Sequence, residues 1–222
     1  MRIVIADDQG ILRQGLAALI REQPDMEVVG EAQDGWEAVA LAKKLKPDAV
    51  VMDISMPNLN GVDATRQILA ENPNIKVVAL SMHPDRHYVT EILKAGAMAY
   101  VLKSYFVDEL VKALHAAEAG QHYLSPQITD VLVDEIVNKT SANDQNGPSR
   151  STGRLGPLTD RQRQVLQLIA EGLSTKQIAL RLSISQKTAD ANRRELMNKI
   201  DKHSIAELTK YAIREGLTTA DF

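Results

Sequence analysis

The sequence predicts a parallel α/β domain followed by a small all-α domain, and three observations carry that prediction. Through residues 1–120, short β-rich apolar runs alternate with amphipathic stretches. After residue 155 only helical periodicity is present. Between the two lies a segment with no large apolar residue, 140–154, rich in Ser, Thr, Asn and Gly. Such a segment cannot bury a core and reads as a flexible linker.

In the front part the apolar runs are 2–6, 26–30, 49–52, 76–80 and 99–102. Each has the length of a strand and no polar alternation, as expected of strands covered on both faces. The stretches 12–22, 36–45, 62–71, 89–95 and 106–119 repeat apolar residues at helical spacing, as Leu12, Leu16, Leu19 and Ile20 do. Five strands alternating with five helices predict right-handed crossovers and a five-stranded parallel sheet with helices on both faces. A further helix is expected over 130–139, where Val131, Leu132 and Ile136 share one side. In the back part Thr159, Ser174, Ser185 and Ser204 each precede an apolar-periodic stretch and are expected to be helix N-caps. The resulting division is 1–120 for the α/β domain, 121–154 for a helix and linker, and 155–222 for a four-helix domain.

Hydrophobic content of 44% and charged content of 25% exclude a disordered chain. No stretch approaches the apolar length of a membrane span, and the opening run meets acid at Asp7, too soon for a secretory leader. With no Cys, thiolate metal sites and disulfides are excluded. A cytoplasmic protein with no membrane partner is expected. Net charge is −3, unevenly spread: 1–120 holds 12 Lys/Arg against 17 Asp/Glu, whereas 155–222 holds 11 against 8. The back part is therefore the better candidate to meet a polyanion.

Functional residues of parallel sheets gather beyond the carboxyl ends of the strands. There stand Asp7 and Asp8 after the first strand, Asp53 after the third, Ser81 after the fourth and Lys103 after the fifth. Singly, each acid reads more readily as a solvated loop residue. As a set, clustered carboxylates call for a hard divalent cation, and Mg2+ suits them. A hydroxyl and an ammonium facing such a site could hold the oxygens of a phosphoryl group. His87, His115 and His122 form no ligand spacing and read as surface residues.

Asp53-Ile54-Ser55-Met56-Pro57 with Gly61 beyond it, together with Ser81-Met82-His83, the run 95–100 and Leu102-Lys103-Ser104, resembles the signature set of response-regulator receivers (CheY-like). That resemblance covers about residues 1–120. It implies that Asp53 is the phosphoacceptor and that Mg2+ is held by Asp7, Asp8, Asp53 and the Ser55 carbonyl. Lys103 would pair with the phosphoryl oxygens, Ser81 supply a switch hydroxyl, and Tyr100 turn inward on activation. The implied phosphoryl donor is a sensor histidine kinase. Gln9 stands where such proteins often carry His, and Ala99 where Gly is common. His83 occupies a position that tunes hydrolytic water in the family.

Residues 158–172 followed by Ser174-Thr175-Lys176-Gln177-Ile178-Ala179 resemble LuxR-type helix-turn-helix domains, and the whole chain is similar to the NarL/FixJ subfamily. The resemblance implies a transcriptional regulator that binds double-stranded DNA, with residues 182–185 as the turn and 186–200 as the recognition helix. Lys176, Gln177, Gln186, Lys187, Thr188, Asp190, Asn192 and Arg193 are the expected DNA-facing residues. Asn192 replaces a common His, and Ala189 a common Val. In the last helix Ile205, Leu208 and Ala212, with Tyr211 beside them, form an apolar stripe. The family pairs two subunits through this helix, so a homodimer is expected when phosphorylated or DNA-bound, with Leu208 as the exposed member of the stripe. Two other classes compete: a relay module whose helical domain docks a protein, and a small-ligand sensor. No second catalytic constellation points to an enzyme.

Overall fold

The computed structural model describes residues 1–82, 84, 86–129 and 158–218, without the side chain of residue 87. His83, the expected helix over 130–139 and the linker over 140–154 lie outside the described residues. The chain divides into two compact units, Met1–Asn146 and Gly147–Phe222, and each is described by itself.

In the first unit, strands β1 (Arg2–Ala6), β2 (Glu27–Ala32), β3 (Ala49–Asp53), β4 (Lys76–Ser81) and β5 (Ala99–Leu102) alternate with helices α1 (Gly10–Arg21), α2 (Gly35–Leu45), α3 (Gly61–Glu71), α4 (Arg86–Lys94) and α5 (Phe106–Glu118). The sheet order is β2-β1-β3-β4-β5-β6, with every pair parallel. The sixth strand, β6 (Tyr123–Leu124), corrects the expected count of five. Two residues carry no periodicity, so only the structure reveals them. Gly120, at φ +73°, turns the chain after α5, and β6 then pairs Tyr123 with Ala99 and Leu124 with Tyr100.

Successive strand residues feed two separate core layers, as the alternation of side chains in a pleated sheet requires. Val4, Val50, Met52, Val77, Ala79 and Tyr100 pack with α2, α3 and α4 on one face. Ile3, Ile5, Val51, Val78, Leu80 and Val101 pack with α1 and α5 on the other. Both faces are dry, which explains why these strands are apolar between their end residues. At the crowded carboxyl end, a Cβ on Gly61 would lie 2.0 Å from the Asp53 carbonyl oxygen. Only glycine lets α3 begin there.

The second unit holds α6 (Asp160–Ala170), α7 (Thr175–Arg181), α8 (Gln186–Ile200) and α9 (Ile205–Arg214). Thr159, Ser174, Ser185 and Ser204 are their N-caps, each side chain accepting the N–H three residues on. A cap of this kind stabilises a short helix by roughly 1 kcal/mol. Helix α6 is the centre of the unit, with Val165, Leu166 and Leu168 fully buried. Between α7 and α8 the chain turns through Ser183 at φ +52°, with the Ile184 N–H donating to the Ala179 carbonyl at 2.9 Å.

Helix α9 corrects one expectation. Leu208 is fully buried, not exposed, as is Ala212. Ile205 is the exposed member, at 57%, and Tyr211 is half-buried under the Arg214 guanidinium, 5.0 Å from its ring centre. Spacing shows which residues share a side of a helix; it does not show how far around the core wraps.

Candidate functional site

Strand order builds the acidic cradle. Strands β1 and β3 are neighbours, so the residues following or closing them, Asp7, Asp8 and Asp53, meet at one edge of the sheet. One carboxylate oxygen from each lies within 4.8 Å of the other two. Asp7 and Asp53 are buried, whereas Asp8 is exposed at the mouth. Lys103, in a 3-10 turn directly after β5, places its Nζ 2.8 Å from Asp7 Oδ2 and 3.0 Å from Asp53 Oδ2. Beyond that shared ammonium, neither oxygen has a hydrogen-bond partner among the described residues. The Ser55 N–H donates to Asp53 Oδ1 at 3.3 Å and the Gln9 N–H to Asp7 Oδ1 at 2.9 Å.

The electrostatics follow from this crowding. Burial pushes the Asp53 carboxyl up to about 6, with Asp7 adding to the rise and Lys103 opposing it. Burial and then Asp7 also raise Asp8. For Lys103, burial acts downward, but Asp53 and Asp7 together outweigh it and hold the ammonium above its usual range. Two buried carboxylates and a third at the opening share one cation. A hard divalent ion fits such an oxygen-only donor set, and Mg2+ in particular binds through a few carboxylates while keeping waters.

Ser81 closes β4 and is buried beside this edge. Tyr100 in β5 is fully buried, so its ring already lies inside the fold. Four contacts in this unit escape sequence reasoning. Arg13 Nη1 donates to the Asp7 carbonyl at 2.7 Å while its Nε reaches Glu31 at 3.3 Å. Asn58, at φ +68°, donates from Nδ2 to Asp34 Oδ2 at 2.9 Å, tying the β3–α3 loop to the start of α2. The Ser125 hydroxyl donates to the buried Glu109 carboxylate. Only Asn58 leaves a trace in sequence, since Asn tolerates the left-handed region. His115 is bonded to Asp25 at 2.9 Å, away from the cradle.

In the second unit Gln186, Lys187 and Thr188 form the exposed first turn of α8. Asn192 Nδ2 donates to the Thr188 carbonyl at 2.8 Å, and Asp190 is partly exposed on the same helix. Lys176 is exposed on α7. Gln177 and Arg193, like Asn192 and Thr188, already have structural partners. The Gln177 side-chain oxygen accepts the Ser174 N–H at 2.9 Å and so completes a capping box. Arg193 Nη1 donates to Thr175 Oγ1 at 3.4 Å, fastening α8 to α7.

Residues 3–115 match the response regulator receiver domain and residues 156–212 the bacterial regulatory proteins of the luxR family. The oxygen regulatory protein NreC of Staphylococcus carnosus is 38% identical over 220 residues, covering 98% of this chain and 99% of the relative. The transcriptional regulatory protein DegU of Brevibacillus brevis is 35% identical over 222 residues, covering 97% of this chain and 94% of the relative. Among solved structures, the complex of the two-component response regulator RcsB with DNA is 26% identical with a TM-score of 0.57, covering 95% of this chain and 96% of that one. No helix among the described residues is long and apolar enough to cross a membrane.

Proposed function

The chain belongs to the NarL/FixJ-type response regulators, which join a receiver to a LuxR-type DNA-binding domain, and from that premise we propose that phosphorylation of Asp53 controls binding of α8 to double-stranded DNA. The observation that carries this reading is the cradle itself: Asp7, Asp8 and Asp53 converge, and the Lys103 ammonium lies 2.8 and 3.0 Å from Asp7 and Asp53. A sensor histidine kinase is the phosphoryl donor. The Asp53 carboxylate attacks phosphorus in line, the P–N bond to the histidine breaks, and the imidazole leaves. Lys103 neutralises the transferred oxygens and the Ser81 hydroxyl donates to them. Asp7, Asp8, Asp53 and the Ser55 carbonyl would hold Mg2+, which would supply the remaining positive charge. The regulator works where the chromosome is, in the cytoplasm, and as a homodimer on DNA.

Asp8 is the exposed member of the cradle, so its loss should weaken the ion without unfolding the sheet. With acetyl phosphate as donor, Asp8→Ala is expected to need at least about tenfold more Mg2+ for half-maximal phosphoryl incorporation read by intact mass, the scale on which metal-site substitutions act. An unchanged Mg2+ requirement would remove Asp8 from the site.

On the DNA side, Lys187 projects from the exposed first turn of α8 and is assigned to phosphate. Lys187→Ala should weaken binding across all duplex sequences and lower the log–log salt slope by about one unit. Asn192→Ala should instead change preference among sequences at an unaltered slope. A flat slope response for Lys187→Ala, or a uniform loss for Asn192→Ala, would reverse the respective assignment. A complete lack of salt-dependent duplex binding would favour the docking-module alternative.

A further inference from the structure

Every polar atom of one fully buried residue, Ser125, is engaged, and its partners lie on both sides of the phosphoryl site's output. Its N–H donates to the Tyr100 carbonyl at 2.9 Å. Its hydroxyl accepts the Leu102 N–H at 3.1 Å and donates to Glu109 Oε2 on α5. Its carbonyl accepts the N–H groups of Ile128 at 2.8 Å and Thr129 at 3.2 Å, opening the helical turn over 126–129. Ile128 is itself fully buried, in the same core layer as Tyr100. Ser125 thus extends the ladder of β5 past the end of β6 while starting the segment by which the chain leaves the receiver.

We propose that Ser125, held by Glu109, is the joint through which a change at Asp53 reaches the segment that follows the receiver. This rests on Asp53 being the phosphoacceptor. Lys103 directly follows Leu102, and its ammonium is bound to Asp53 and Asp7. When Asp53 carries a phosphoryl group, the ammonium exchanges a carboxylate partner for phosphoryl oxygens, and the end of β5 moves with it. Two backbone groups of β5 near that end, the Tyr100 carbonyl and the Leu102 N–H, are fastened to Ser125. The displacement is therefore delivered to residues 125–129 through hydrogen bonds already present. A buried polar group resists losing its partners, since an unmade bond inside a protein is costly, so the network moves as one unit.

The test is amide exchange on the full chain, with and without acetyl phosphate and Mg2+, with intact mass recording the adduct. In the wild type, phosphorylation is expected to change exchange within residues 125–129 and at Leu102 by at least about fivefold, the lower end of ordinary coupling strengths. Ser125→Ala should take up phosphoryl to within about twofold of the wild type and lose the response at 126–129. Ser125→Thr, which keeps the hydroxyl, should retain that response. An absent response in the phosphorylated wild type overturns the joint, as does one that survives in Ser125→Ala. If Ser125→Ala does not fold, the wild type and Ser125→Thr decide in the same way. Failure of the wild type to form any adduct would instead count against Asp53 as the acceptor.

Discussion

Asp53→Asn is expected to do two opposite things: abolish the phosphoryl adduct and make the receiver more stable. Loss of the adduct follows because, among the carboxylates of the cradle, Asp53 alone both closes a strand and shares the Lys103 ammonium with Asp7. The gain in stability follows from linkage. The folded-state value of Asp53 is raised from 3.8 to about 6 by burial, then by Asp7, against the pull of Lys103. A carboxyl with a raised folded value favours the fold while protonated. That benefit is complete below about pH 4 and is lost as pH climbs through 6. Above pH 6 the metal-free protein therefore carries a buried charge worth on the order of 3 kcal/mol, which Asn does not carry. Asn leaves Lys103 with Asp7 alone, so the net gain is smaller than that figure. Thermal unfolding of both proteins without Mg2+ at pH 4 and pH 8 checks it: the curves should converge at low pH and separate at high pH. A less stable Asp53→Asn at pH 8 would show that the Lys103 pairing outweighs burial.

The second large effect concerns α9. Leu208 is fully buried in a four-helix unit with a small core, so Leu208→Asp loses its packing and strands a charge in an apolar setting. A loss of at least about 3 kcal/mol is expected, a large fraction of the stability of a domain of ordinary size. Ile205→Asp, at a position 57% exposed, should stay within about 0.5 kcal/mol of the wild type. If α9 is the homodimer face, that same substitution removes cooperative occupancy of paired half-sites. Circular dichroism of residues 155–222 and a half-site titration separate the outcomes. An unchanged unfolding midpoint in Leu208→Asp would contradict the burial, and undiminished cooperativity in Ile205→Asp would place the dimer elsewhere.

The architecture was readable because its physics is local or periodic. Strands dry on both faces must be apolar where they are covered, and between their end residues β1, β3, β4 and β5 are. Helix starts need an oxygen acceptor, and Thr159, Ser174, Ser185 and Ser204 supply one each. The convergence of Asp7, Asp8 and Asp53 was readable one step less directly, through the rule that parallel strands point their carboxyl ends to one edge. What stayed hidden depends on pairs distant in sequence. Asn58 with Asp34, and Ser125 with Glu109 and Leu102, have no spacing that announces them. β6 is too short for any pattern, and Leu208 lies on the same stripe whether the core reaches it or stops at its neighbour.

The short strand β6 also bears on whether another chain could extend this sheet. An open parallel sheet has two edges, and an uncovered edge of apolar residues is a template for another chain to add to. On one side the outermost strand is β2, whose Glu27 and Glu31 are exposed, so an incoming strand would face charge. On the other side β5 would be the rim, and its sequence, Ala-Tyr-Val-Leu, is of the kind that stacks into fibrils. There β6 pairs with Ala99 and Tyr100, and Ser125 occupies the Leu102 N–H, leaving little of that rim to copy. One border is guarded by repulsion and the other by occupation. Addition of a further strand is thereby disfavoured at both borders of the sheet.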